Sequence, residues 1–224
     1  MLIAGVNTVP DNPVPDNITI IDLNVSPPKV LATINVPTSL VGPPQSVAIA
    51  PDESFALVTA ATKIDPADKK KTAPHNIVSV IDLQAKPPAV AATHEAGLGA
   101  TDVAINPSKT LALVTNRNEG TVSVFKIAGK TLTPQGKVKL GDAASGPSSV
   151  AFAPDGKTAL VTRDGDNKVS ILRIDGDKVE HSGRDMYAGL KPYPVGISPK
   201  GDWAAVAAVG MGNGDSDTMS LIDL

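Results

Sequence analysis

The 224-residue chain contains no cysteine. That excludes disulfides, thiolate metal sites and a cysteine nucleophile. Aromatic residues make up only 3%, so any core must be built from Val, Ile, Leu and Ala. No apolar run approaches the length of a membrane span. The start, Met1-Leu2-Ile3-Ala4-Gly5-Val6, lacks the basic region of a signal peptide and is too short for its apolar region. Lys and Arg number 20 against 23 Asp and Glu, giving a net charge of −3, with a pI of about 5.6. This balance implies no basic surface for nucleic acid. Helical periodicity, a Gly-rich phosphate loop, a Gly-x-Ser-x-Gly elbow and a His-Glu-x-x-His pair are all missing. The three histidines, His75, His94 and His181, are not spaced as a metal pair.

What is present is a repeat. Val150-Ala151-Phe152-Ala153-Pro154-Asp155-Gly156 is followed by Ala159-Leu160-Val161-Thr162, which reads as strand, tight turn, strand. Pro presets φ, Asp bonds its own backbone, and Gly takes the positive φ. Related copies centre on Pro51, Pro107 and Pro199, at intervals of 56, 47 and 45 residues along the chain. Further strand signals follow each copy. A period of this size filled with strands predicts four-stranded units stacked on one another.

The strands count three, four, four, four and three along the chain. The expected fold is therefore all-β: a β-propeller of four-stranded antiparallel blades, about five blades or part-blades, forming an incomplete ring. One domain spans 1–224, divided into a part-blade 1–42, blades 43–99, 100–146 and 147–191, and a part-blade 192–224. Ile21-Asp22-Leu23 recurs at Ile81-Asp82-Leu83, each leading to a Pro-Pro turn, and opens again at Ile222-Asp223-Leu224. The chain thus reads as a piece of a longer propeller that self-associates through its open ends.

Leu113-Val114-Thr115-Asn116 comes within one residue of the Tyr-Val-Thr-Asn signature. With the Val-Ala-x-x-Pro-Asp-Gly pattern, the repeat resembles the bacterial and archaeal propeller family named for that signature, which includes lactonase-like and surface-layer propellers. The resemblance implies a ring of seven blades. It leaves function open, because one propeller fold hosts many activities.

Several features have bland readings. Thr19, Ser79, Ser123, Ser170 and Ser220 recur in every third strand, which marks them as small residues that let sheets stack. Trp203 aligns with Phe55, Leu111 and Thr158, which makes it a packing residue at the start of a second strand. Asp164-Gly165-Asp166-Asn167 and Asn213-Gly214-Asp215-Ser216-Asp217 lack full calcium-loop spacing and read as hairpin turns. Lys69-Lys70-Lys71 reads as a solvated loop tip.

Long insertions at 7–17, 62–76 and 210–217 fall on the face where blades cross over and second strands lead to third strands. Long loops on a rigid scaffold mark where function sits. Residues there that differ between blades are the site candidates: Asp102, Asn116, Arg117, Arg163, Asp164 and Tyr193. Arg117 and Arg163, at neighbouring second-strand exits, are placed to share one anion. The expected function is an exported, periplasmic or extracellular scaffold. It binds a small anionic ligand or a protein or polymer partner on this face. The alternative is a lactonase-like hydrolase of a sugar lactone or related ester, with Asp102 and His94 as catalytic candidates beside Arg117 and Arg163. No cofactor is expected; a divalent metal on the propeller axis is the minor alternative.

Overall fold

A computed structural model describes residues 15–39, 46–211 and 218–224. Among these, the first sheet pairs β1 (Asn17–Asp22) with β2 (Lys29–Asn35). The second runs β3 (Val47–Ile49), β4 (Phe55–Ile64), β5 (Thr72–Asp82) and β6 (Ala89–Glu95). The third runs β7 (Ala100–Ile105), β8 (Leu111–Asn116), β9 (Thr121–Ala128) and β10 (Thr131–Lys139). The fourth runs β11 (Pro147–Phe152), β12 (Thr158–Arg163), β13 (Lys168–Asp175) and β14 (Lys178–Tyr187). The fifth runs β15 (Pro192–Ile197), β16 (Trp203–Ala208) and β17 (Thr218–Asp223).

Within each sheet, every strand pairs antiparallel with the next in sequence, and no strand joins two sheets. This is a partial β-propeller without a closed ring. Val103 and Val150 lie in different sheets, on the innermost strands β7 and β11. The expected second strand at 2–6 lies outside the described residues, as do most of the insertions at 7–17 and 210–217.

The cores lie between sheets, and strand parity builds them. In β8, Leu111 and Leu113 pack toward the fourth sheet with Val150, Val161 and Leu172. Ala112 and Val114 face the second sheet with Phe55, Leu57 and Val80. A strand buried on both faces reads as an unbroken apolar run, and all six residues of β8 are buried. Small Ala and Val partners let the sheets stack closely, which explains a core with so few aromatics.

The turn reading holds. Gly156 has φ 68°, and its N–H donates to Ala153 O at 2.9 Å. The Lys157 N–H donates to the Asp155 carboxylate at 2.8 Å. Glu53 and Lys109 hold the same left-handed position without a glycine, at φ 57° and 56°. Lys109–Asp52 and Lys130–Asp82 tie the third sheet to the second at this end, and Lys126–Asp177 ties it to the fourth.

The Thr of the Leu-Val-Thr repeat carries a job that sequence reading missed. The Thr162 hydroxyl accepts the Ser149 N–H at 3.0 Å and donates to Tyr193 O in the next sheet at 2.6 Å. Thr59 Oγ1 likewise donates to Thr101 O of the third sheet at 3.2 Å. At this point the innermost strand shifts register, between Ala100 and Val103, Pro147 and Ser149, and Pro192 and Val195. The shift leaves amides without ladder partners. The threonine satisfies one of them and staples adjacent sheets together.

Two expectations are corrected. The insertion at 62–76 is largely not a loop, because β4 and β5 continue through it, pairing Thr62 with Pro74 and Ile64 with Thr72. The register shifts between Ala60 and Thr62, and the ladder resumes beyond that irregularity. Trp203 does not pack: it is 52% exposed, on the face of the fifth sheet turned away from the fourth. Among the described residues no further sheet covers that face.

Candidate functional site

The candidate site lies where the innermost strands begin and the second strands end. The Arg117 N–H donates to Gly99 O at 2.9 Å, which fixes the chain just beyond β8. Its guanidinium, 41% exposed, forms an ion pair with Asp164 at the matching place beyond β12. The Ser148 hydroxyl donates to the other Asp164 oxygen at 2.9 Å. Gly146 must be small here, because a Cβ would stand 2.5 Å from that carboxylate. Tyr193, half-buried on β15, faces the same group. Burial pushes its phenol up to about 12; the positive charge of Arg117 opposes this, and Asp164 and Asp102 reinforce it. Tyr193 therefore stays protonated at neutral pH.

Asp102 is 6% exposed. One carboxylate oxygen accepts the Val103 N–H at 2.7 Å, and the other accepts the Val150 N–H of the next sheet at 2.9 Å. Burial pushes this carboxyl up to about 6, against hydrogen bonds from Val150, Ser149 and Val103 that favour the ion. Ser149 repeats the device one sheet on, where its hydroxyl accepts the Val195 N–H at 3.4 Å. Asp102 is thus a clip between sheets as well as a neighbour of the site.

The structure brings Asp102, Arg117, Asp164 and Tyr193 together. It places Asn116, Arg163 and His94 elsewhere. Arg163 is 3% exposed and turns back toward the third sheet. There Asp166 pairs with it, Asp185 lies at 3.0 Å and the Ser170 hydroxyl at 3.1 Å. The shared anion site of Arg117 and Arg163 is therefore corrected: Arg163 is enclosed by carboxylates of its own sheet, and Arg117 by Asp164. Asn116 occupies the matching place in the third sheet. It accepts the Gly97 N–H at 2.9 Å and donates to Thr121 and Ser123 at 2.9 Å each. Ser123 and Ser170 thus anchor these second-strand ends. His94 sits on the outermost strand β6, its ring 6.4 Å from that of Phe125 in an edge contact.

Strand parity carries the signal for this division. Asn116 follows Ala112 and Val114, and Arg163 follows Ala159 and Val161, at two-residue steps toward the preceding sheet. Among the described residues no group of three or more His, Asp or Glu is placed to hold a metal ion.

A propeller with charged and phenolic groups gathered at one end of its innermost strands defines the class. The family follows from the sequence. Residues 69–189 match the family described as "Lactonase, 7-bladed beta-propeller", and the chain belongs to it. No curated protein matches. Among solved structures, the fold is similar to three bacterial proteins. Hydrazine synthase of Kuenenia stuttgartiensis has a TM-score of 0.63 and 24% identity, over 82% of this chain and 48% of that one. A putative 6-phosphogluconolactonase of Bacteroides fragilis has a TM-score of 0.65 and 17% identity, over 93% and 65%. The periplasmic gluconolactonase of Pseudomonas aeruginosa has a TM-score of 0.63 and 15% identity, over 93% and 64%. The chain thus spans about half to two thirds of the lengths of these structures.

Proposed function

We propose that the chain carries the lactone-binding part of a lactonase-like hydrolase, acting on a sugar lactone or related ester at the Arg117, Asp164 and Tyr193 cluster. The observation that carries this is the convergence of a cation, a carboxylate and a protonated phenol at one end of the innermost strands, in a chain of the lactonase propeller family. Hydrolysis needs a donor for the oxyanion and an acceptor for a water proton. Arg117 and Tyr193 donate to the lactone carbonyl oxygen. Asp164 takes a proton as water adds to the carbonyl carbon, and returns it to the ring oxygen as the ring C–O bond breaks. Asp102 is a positioning residue in this reading, because backbone amides occupy both its oxygens.

The test is proton release from glucono-δ-lactone above the uncatalysed rate. Removing one oxyanion donor, by Arg117→Gln or Tyr193→Phe, lowers kcat/KM by about 100-fold. Turnover unchanged in both variants overturns the site.

One observation favours a second reading, a binding scaffold exported to the periplasm or cell surface. Asp102 and Asp164 are both already engaged, the latter by Arg117 and Ser148. With both carboxylates engaged, neither is free to take a proton, which suits binding without turnover. Binding of gluconate with no turnover of its lactone identifies this reading.

A further inference from the structure

The side of the fifth sheet turned away from the fourth is apolar, and strand register sorts its side chains into rows. Gly196, Ala205 and Leu221 form one row across β15, β16 and β17. Ala207 and Met219 form a second, and Trp203 and Asp223 a third. Trp203, Met219 and Leu221 are each more than half exposed. In the second and third sheets the same places are buried under a neighbouring sheet. Phe55 and Leu111 stand where Trp203 does, Leu57 and Leu113 where Ala205 does, and Val80 and Val124 where Leu221 does. A contiguous apolar face of this kind marks an interaction surface.

The face is a wedge. β17 carries the large Met219 and Leu221, β16 carries Ala205 and Ala207, and Gly196 of β15 carries no side chain. A Cβ built on Gly196 would meet nothing within 4 Å. A flat partner would therefore leave a gap over β15 and lose contacts there. A second wedge, turned about, closes that gap. A two-fold axis running along the strands lays β17 of each copy over β15 of the other. The charges agree with this placement. Lys200, in the turn from β15 to β16, and Asp223, at the close of β17, lie at the same end of the sheet. Both are exposed, and among the described residues neither forms an ion pair. The same axis brings each Lys200 to the other copy's Asp223. The outward face of the first sheet is a poorer match, because the polar Asn17 and Thr19 stand beside Ile21 there and would be buried without partners.

We propose that the fifth sheet is a homodimer interface, in which a second copy of this chain packs the same face about a two-fold axis along the strands. Met219 and Leu221 of each copy fill the space over Gly196 and Ala205 of the other, and two reciprocal Lys200–Asp223 pairs close one end. Such a contact is isologous, so it is complete at two copies.

Trp203 is the only tryptophan, so its emission reports this face alone. Equilibrium sedimentation of the protein from low to high micromolar concentration gives a monomer–dimer equilibrium that stops at the dimer. The Trp203 emission moves to the blue with the same midpoint. Leu221→Asp, at an exposed position, lowers dimer affinity by about 100-fold, because it sets a charge against Gly196 and Ala205. Ala207→Asp, in the next row, gives a second test of the same face. Lys200→Asp and Asp223→Lys each weaken the dimer by about tenfold. An equimolar mixture of those two variants regains it, since each chain then meets opposite charge. A protein monomeric throughout overturns the proposal. So does mass that climbs past the dimer, or association lost in Ile21→Asp, since either assigns the contact to the first sheet in a head-to-tail series. A dimer indifferent to Leu221→Asp and Ala207→Asp, or charge-reversed chains that do not recover on mixing, also overturns it.

Discussion

Asp102 offers the sharpest physical test of how the sheets are joined. Its carboxyl is buried between β7 and β11, and burial raises its pKa from 3.8 to about 6. A group whose folded pKa exceeds its unfolded value binds more protons in the folded state between those values. Stability therefore falls as pH rises through that window. At about 1.4 kcal/mol per pKa unit, the loss between pH 4 and pH 7 is about 3 kcal/mol. Asp102→Asn has no such titration. At pH 7 the variant sheds the buried charge but turns an NH2 donor toward one of the two amides, at a cost of about 1–3 kcal/mol. The absolute change at one pH is thus ambiguous, while the slope is not. Urea denaturation of both proteins from pH 4 to 7 gives the difference curve, in which all other carboxylates cancel. The stability of Asp102→Asn relative to wild type should rise by about 3 kcal/mol across the range. A flat difference, or one of opposite slope, would show that the Val103 and Val150 amides outweigh desolvation and hold the carboxylate ionised.

Other substitutions probe the repeat itself. Thr162→Val strands the Ser149 N–H and Tyr193 C=O, and should cost about 1–3 kcal/mol in denaturant titration. Gly156→Ala places a Cβ on a residue at φ 68°, costing about 1–2 kcal/mol by the same measurement. Arg163→Ala leaves Asp166 and Asp185 with only the longer contacts to Lys168, at 4.0 and 3.9 Å, in place of their arginine. It should destabilise by about 1–3 kcal/mol, because the arginine is buried while both carboxylates are partly exposed and keep Lys168 nearby.

Much of the fold was legible because every blade repeats the same alternation. Leu111-Ala112-Leu113-Val114 shows a strand buried twice over, and Pro154-Asp155-Gly156 shows its turn. The hairpin at 62–76 was harder to read, since Lys63, Asp65 and the lysines at 69–71 look like loop. In the structure, the ladder hydrogen bonds outweigh that polarity. Trp203 misled because its register matches the buried Phe55 and Leu111, whereas burial depends on a neighbouring sheet. For the site, Arg117, Asp164 and Tyr193 could be named as exceptions to the repeat. Their meeting depends on how three sheets splay around one axis, which no single stretch encodes. Arg163 and Asn116 are different: period-two counting along β12 and β8 already turns them toward the preceding sheet.

The claim that Arg117, Asp164 and Tyr193 form a ligand site can be read from the two tyrosines. Tyr187 is 69% exposed on the outer strand β14, away from the cluster, and serves as the internal control. With the tyrosine ζ-carbons labelled, titration with gluconate should shift the Tyr193 resonance saturably and leave Tyr187 in place. The Tyr193 shift should vanish in Arg117→Gln. Two unmoved resonances, or a shift of Tyr193 that survives Arg117→Gln unchanged, would contradict it.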